Sequence, residues 1–85
     1  MMLGDFMKKN DFDNIYNIIG SNIKKYRKAK GLTQRNLSEA LLLSESFIAK
    51  LESKTHQTLS IDTLALIANY LGVDIKKFFD EKKEK

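Results

Sequence analysis

The 85 residues contain no cysteine, no proline and no tryptophan, and only four glycines. Without thiols, no disulfide or thiolate-bound metal can staple the fold. The absence fits a reducing compartment, although many secreted proteins share it. The single histidine, His56, has no cysteine or second histidine to complete a metal site. No glycine-rich phosphate loop is present, no thiol nucleophile exists, and the carboxylates lie scattered among lysines at helix-surface spacing. A catalytic site, a bound metal and a cofactor are therefore not expected, and neither is an enzyme. No apolar run approaches the roughly 20 residues needed to span a bilayer. Leu41-Leu42-Leu43, for instance, is ended at once by Ser44. Met1 to Phe12 lacks the basic start and apolar stretch of a signal peptide. The expectation is a cytoplasmic protein that is not integral to a membrane.

With 42% hydrophobic and 31% charged residues, the chain has the composition of a folded helical domain rather than of a disordered one. Its length suits one domain and is too short for two. The net charge is +4, from 15 basic and 11 acidic residues. Between Ile18 and Asp80 stand ten Lys or Arg against six Asp or Glu, so the positive balance belongs to the folded part. That excess suits a polyanionic partner, and it equally suits plain solubility.

Apolar residues recur with a period near 3.6 and no stretch alternates as a strand would, which predicts an all-α fold. A first helix starting near Asp13 or Asn14 carries Ile15, Ile18, Ile19, Ile23 and Tyr26 on one side and Lys24, Lys25 and Lys28 on the other. Gly31 can end it in the left-handed conformation, with Leu32 as the apolar residue that follows such a cap. Thr33 caps a second helix of about two turns, with Leu37, Ala40 and Leu41 inward; Asn36 stands where a capping box prefers Glu or Gln. Ser44 caps a third helix with Ile48 and Leu51 inward, and Lys54 to Thr58 reads as a loop. Ser60 opens a fourth helix with Ile61, Leu64, Ile67, Ala68 and Leu71, closed by Gly72. Asp74 caps a short fifth helix with Ile75, Phe78 and Phe79. The expected organisation is an N-terminal arm over 1–13, free to be flexible, a domain over 14–79 and a charged tail over 80–85.

Three spaced motifs follow one another: Gly31-Leu32-Thr33-Gln34-x-x-Leu37-x-x-Ala40, Ser44-x-x-x-Ile48-x-x-Leu51-Glu52, and Leu64-x-x-Ile67-Ala68-x-x-Leu71-Gly72-Val73. In combination they resemble the Cro and lambda-repressor-like helix-turn-helix family of bacterial and phage regulators, also called the XRE family. The resemblance runs from about Ile18 to Phe79. It implies a compact five-helix domain, with the helix-turn-helix at helices 2 and 3 and a recognition helix from Ser44 to about Ser53. At 100° per residue, Glu45, Ser46, Ala49, Lys50 and Ser53 fall within an arc of roughly 140°, with Ser44, Phe47, Ile48 and Leu51 opposite. One face can pack while the other enters a major groove.

By this resemblance Glu45, Ser46, Ala49 and Lys50 are base-reading positions. Lys50 would donate to guanine, Ser46 would serve several bases, Glu45 would accept from cytosine N4, and Ala49 would meet a thymine methyl. Gln34, Ser44, Lys54, Thr55 and His56 match positions that hold backbone phosphates, a role that suits helix N-termini. Arg27 and Glu52 match a structural ion pair between the first helix and the end of the third. Phe47 replaces a small polar residue, either at the core edge or as an aromatic surface toward DNA. Leu42 and Ser53-Lys54 stand where the family often has glycine, which puts the turn geometry under steric tension.

The implied function is a sequence-specific transcriptional regulator, a repressor acting as a homodimer on a two-fold symmetric operator in double-stranded DNA. Val73, Ile75, Phe78 and Phe79 are the candidate dimer surface, or else the two phenylalanines simply close the bundle. The partly apolar, acidic arm before Asp13 is a second candidate for packing on a partner. No small-molecule ligand or inducer-sensing domain is evident. A different class stays open: an antitoxin or similar protein-interaction module in which DNA binding is secondary. Glu45, repelled by phosphates, points that way, whereas Gln34, Lys50 and Lys54 point to DNA.

Overall fold

The computed structural model describes the backbone over residues 9–54 and 57–81, and side chains from residue 14 onward. Four α-helices follow one another: α1 (Lys9–Ala29), α2 (Gln34–Leu41), α3 (Glu45–Glu52) and α4 (Ile61–Leu71). The expected fifth α-helix is instead a 3-10 helix over Ile75–Phe79. The sequence supplies only five residues between the Asp74 cap and Asp80, and i to i+3 bonds such as Lys77 N–H to Asp74 C=O (2.9 Å) close so short a segment. No strand occurs among the described residues.

The first helix starts earlier than the expected Asp13 or Asn14, because extending an existing helix through Lys9–Phe12 adds a bond per residue without a new nucleus. Residues 9–13 of the expected arm are thus helical, while 1–8 and the end of the tail, 82–85, lie outside the described residues. Its C-terminus follows the sequence. Gly31 takes φ 73°, its N–H donates to Lys28 C=O (2.9 Å), and Leu32 N–H reaches Arg27 C=O (3.1 Å). Thr33 then forms a full capping box, for Asn36 Oδ1 accepts from Thr33 N–H at 3.0 Å and Thr33 Oγ1 from Asn36 N–H at 2.9 Å. The side-chain amide of Asn36 makes the reciprocal bond that glutamate or glutamine more commonly supplies. Ser44 and Ser60 cap α3 and α4 by accepting from Phe47 N–H and Thr63 N–H, each at 3.0 Å.

The core takes Ile19 and Ile23 from α1, Leu37 from α2, Ile48 and Leu51 from α3, Leu64, Ile67, Ala68 and Leu71 from α4, and Phe78. Full burial of each large side chain contributes roughly 1.5–3 kcal/mol. Phe78, wholly buried, meets Tyr26 edge-on at 5.9 Å between ring centroids. Ala40 departs from expectation and is exposed, whereas Ser38 is buried. The Ser38 hydroxyl donates to Arg35 C=O (2.9 Å), so a polar residue fits where α2 meets the core.

Three devices lock α1 to the rest. Gly20 lies so close to α3 that a Cβ there would overlap the carbonyl oxygen of Leu51. Asn22, buried on the same helix, donates through Nδ2 to Phe78 C=O (2.8 Å) and Asp80 C=O (2.9 Å), satisfying the end of the 3-10 helix. Arg27 pairs with Glu52 through two bonds of 2.8 Å, Nε to Oε2 and Nη2 to Oε1, with side chains 7% and 2% exposed. Arg27 Nη1 also donates to Leu32 C=O (2.6 Å). Hydrogen bonding to Glu52 pushes the guanidinium pKa above its ordinary value against the opposing effect of burial. No helix among the described residues is long and apolar enough to cross a membrane.

The turn between α2 and α3 is strained. Leu42 adopts φ 57°, ψ 40° and is 93% exposed, so its side chain gains no packing in return. Three stability measurements in urea follow. Leu42→Gly removes a left-handed cost of about 1–2 kcal/mol, partly offset by the greater unfolded-state freedom of glycine, and is expected to stabilise the protein by about 0.5–1 kcal/mol. Gly20→Ala is expected to cost about 3 kcal/mol or more, since backbone must move to admit the methyl group. Glu52→Leu should cost about 3–5 kcal/mol by stranding Arg27, and Arg27→Met combined with Glu52→Leu should recover most of that loss.

Candidate nucleic-acid interface

The surface of α3 divides as its periodicity predicts. Ile48 and Leu51 are buried and Phe47 is half-buried against the core, while Glu45, Ser46, Lys50 and Ser53 are exposed and Ala49 is intermediate. The structure therefore brings the four expected base-reading positions, Glu45, Ser46, Ala49 and Lys50, to one face. Phe47 takes the core-edge alternative. Among the described residues the ion pairs are Arg27–Glu52 and Arg35–Glu39, so neither Lys50 nor Glu45 is neutralised by a neighbour. Glu45, in the first turn, also faces the positive end of the helix dipole, which supplies a local reason for a carboxylate at that position.

The expected phosphate contacts are placed less uniformly. Ser44 is exposed and occupied as the α3 cap. Gln34, the first residue of α2, is half-buried, and its Nε2 donates to Glu52 Oε1 at 3.0 Å. An amide nitrogen carries two hydrogens, so one remains to meet an anion beside the N-terminus of a helix with no acidic residue in its first turn. Lys54 is exposed and has φ 67°, the left-handed conformation that sequence comparison with a glycine-ending motif suggested. Thr55 and His56 lie outside the described residues. Among the described residues no cluster of His, Cys, Asp or Glu is suited to a metal.

Glu52 links these parts. Oε2 accepts from Arg27 Nε, and Oε1 accepts from both Arg27 Nη2 and Gln34 Nε2. One buried carboxylate thereby connects α1, the N-terminus of α2 and the C-terminus of α3. The third member, Gln34, was not legible as a partner of Glu52, because 18 residues separate them and each has its own reading alone. Gly20 and Asn22 were missed as well, although a lone glycine and a lone asparagine on the apolar side of a helix are signals of close approach and of a buried partner.

Of the candidate dimer residues, Phe78 belongs to the core and Val73 and Ile75 are half-buried against it. Phe79 alone is exposed, at 45%. The apolar surface that the four seemed to offer in sequence is mostly consumed in closing the bundle.

Comparison with known proteins agrees with this geometry. A family model described as Helix-turn-helix matches residues 23–78, from the middle of α1 into the 3-10 helix. The HTH-type transcriptional regulator SinR of Bacillus subtilis (strain 168) is 33% identical over 67 residues, covering 79% of this chain and 60% of that protein. The chain thus spans less than two thirds of the length of the curated relatives it matches. Among solved structures, the N-terminal DNA binding domain of SinR from Bacillus subtilis is similar with a TM-score of 0.71 at 32% identity, covering 80% of this chain and 99% of that one. SinR in complex with DNA, described as the master regulator for biofilm formation, gives a TM-score of 0.68 at 31% identity, covering 73% and 98%. With the capped short helices, the buried Arg27–Glu52 pair and a family match over more than half its length, the chain belongs to the XRE type of helix-turn-helix proteins.

Proposed function

We propose that the chain is a sequence-specific double-stranded DNA-binding transcriptional regulator, a repressor acting in the cytoplasm as a homodimer on a two-fold symmetric operator. In this reading α2 and α3 are the helix-turn-helix, α3 is the recognition helix, and the binding domain spans 14–79. The observation that carries it is the exposed face of α3, where Glu45, Ser46 and Lys50 surround the small Ala49 while the opposite face is buried. A helix with one solvated polar face and a rigidly held back fits a major groove about 12 Å wide. The solved complex of its relative SinR with DNA supports the same partner.

The division of labour follows from the side chains. Lys50 donates to guanine O6 or N7, Ser46 adapts to its base, Glu45 accepts from cytosine N4, and Ala49 contacts a thymine methyl. Gln34, the Ser44-capped N-terminus, Lys54, Thr55 and His56 hold phosphates and set the register. With no arginine on the reading face, affinity rests on backbone contacts, and specificity on a few base contacts together with DNA shape. In a dimer the two copies of α3 would enter successive major-groove faces about 34 Å apart, with Phe79 the most accessible apolar contributor of the expected dimer set.

Selection from a random duplex library, followed by titration at several salt concentrations, tests the proposal. The expected result is a symmetric site and an affinity that falls steeply with salt. Failure to select any duplex, together with a stable complex with another protein, would favour the interaction-module alternative. On the selected site, Lys50→Ala should cost about 1–3 kcal/mol of discrimination at one operator position. Gln34→Ala should weaken cognate and random duplexes alike. Equal losses on both duplexes for Lys50→Ala would remove it from the base-reading set.

A further inference from the structure

A polar cavity of about 260 Å³ opens along α1. Its parts come from three distant segments: Asn17, Ser21, Asn22 and Lys25 on α1, Lys54 just after α3, and Asp80 and Glu81 just past the 3-10 helix. The layout follows from 100° per residue. With Gly20, which touches α3, as origin, Asn17, Ser21 and Lys25 stand at about 60°, 100° and 140° around the axis, and Asn22, bonded to the carbonyl of Asp80, at about 200°. The polar side of α1 is therefore the floor, with Lys54 on one wall and Asp80 and Glu81 on the other.

Asn22 sets what the floor demands. The residue is 6% exposed, and its Nδ2 is spent on the carbonyls of Phe78 and Asp80, so the amide cannot be turned over. Its Oδ1 is left as an acceptor, and no described residue donates to it. A polar atom of so buried a side chain, on the lining of a cavity, calls for a donor from whatever enters. The walls are charged and uncompensated. The ion pairs among the described residues, Arg27–Glu52 and Arg35–Glu39, include none of Lys25, Lys54, Asp80 and Glu81. Lys25 is turned onto the ring of Tyr26, with Nζ 5.0 Å from its centroid, which leaves Lys54 as the open cation.

This chemistry selects the ligand. A bare anion such as phosphate would meet Asp80 and Glu81, and a bare cation would meet the lysines. A molecule with an N–H-bearing cation at one end and a carboxylate at the other meets each wall with the opposite charge. We propose that the cavity binds a free α-amino acid. Its ammonium, with three hydrogens, donates to Asn22 Oδ1 and to the carboxylates of Asp80 and Glu81, and its carboxylate accepts from Lys54, Ser21 and Asn17. The volume agrees: at about 30 Å³ per water, the cavity has room for roughly nine waters, the bulk of a small amino acid.

The test is titration of the full chain, without DNA, with each standard α-amino acid up to about 10 mM, followed by backbone amide NMR shifts. At least one is expected to saturate with a Kd of about 1 mM or tighter, moving the amides around Ser21, Asn22, Lys54 and Asp80. Its N-trimethylated form keeps both charges but has no N–H, and it should bind at least about tenfold more weakly. Lys54→Gln, and Asp80→Asn combined with Glu81→Gln, should each weaken binding by a similar factor, with the unliganded spectrum showing that the fold is kept. Absence of saturation by any amino acid means that the cavity holds only water and overturns the proposal. Equal binding of the trimethylated form, undiminished binding by both variants, or shifts centred elsewhere would overturn it as well. Because no DNA is present, the outcome is independent of whether the chain is a DNA-binding regulator.

Discussion

The arrangement depends most on the buried carboxylate of Glu52. Taken out of water alone, such a charge would be expensive, and here it is answered by both prongs of the Arg27 guanidinium and by the amide of Gln34. The geometry of these bonds leaves little freedom. Arg27 belongs to α1, Gln34 to the N-terminus of α2 and Glu52 to the C-terminus of α3, so one set of planar hydrogen bonds fixes the mutual orientation of three helices. Its net contribution to stability is small beside the core. Its consequence is specificity of arrangement, because the alternative packings of so small an apolar core would leave a charge unpaired.

Gly20 and Asn22 act on the same helix by different physics. The glycine admits the α3 carbonyl where no side chain could stand, and the asparagine supplies donors to carbonyls at the end of the 3-10 helix. Together with the Arg27 pair they place contacts along successive turns of α1, which thus serves as the backboard for α3. A helix held so firmly from behind can present its outer face with little loss of side-chain or backbone freedom on binding, and that is what a reading surface requires.

Much of this was legible in the sequence, and the reasons are local. Thr33, Ser44, Ser60 and Asp74 cap because a short oxygen-bearing side chain can bond the first free amides of a helix, and Gly31 and Gly72 end helices because they tolerate positive φ. The spacing of Ile48 and Leu51 against Glu45, Ser46 and Lys50 sorts buried from exposed positions on α3 without any structure. Where local pattern misled, tertiary contact was responsible. Ala40 is apolar yet exposed, Ser38 is polar yet buried, and Phe78 closes the core although its pattern equally suited a partner.

The amino-acid sequence by itself determined five helical segments, four of them α-helices in the structure, the caps at Thr33, Ser44, Ser60 and Asp74, the short turn between α2 and α3 and the polar face of α3, since these depend on period and on neighbours within about one turn. Only the tertiary structure decided that Gln34 joins the Arg27–Glu52 pair, that Gly20 touches a carbonyl of α3, and that Ile15, Ile61 and Phe79 gather around one apolar groove. Each of these is set by where distant segments come to rest against one another. Helical period contains no term for that distance.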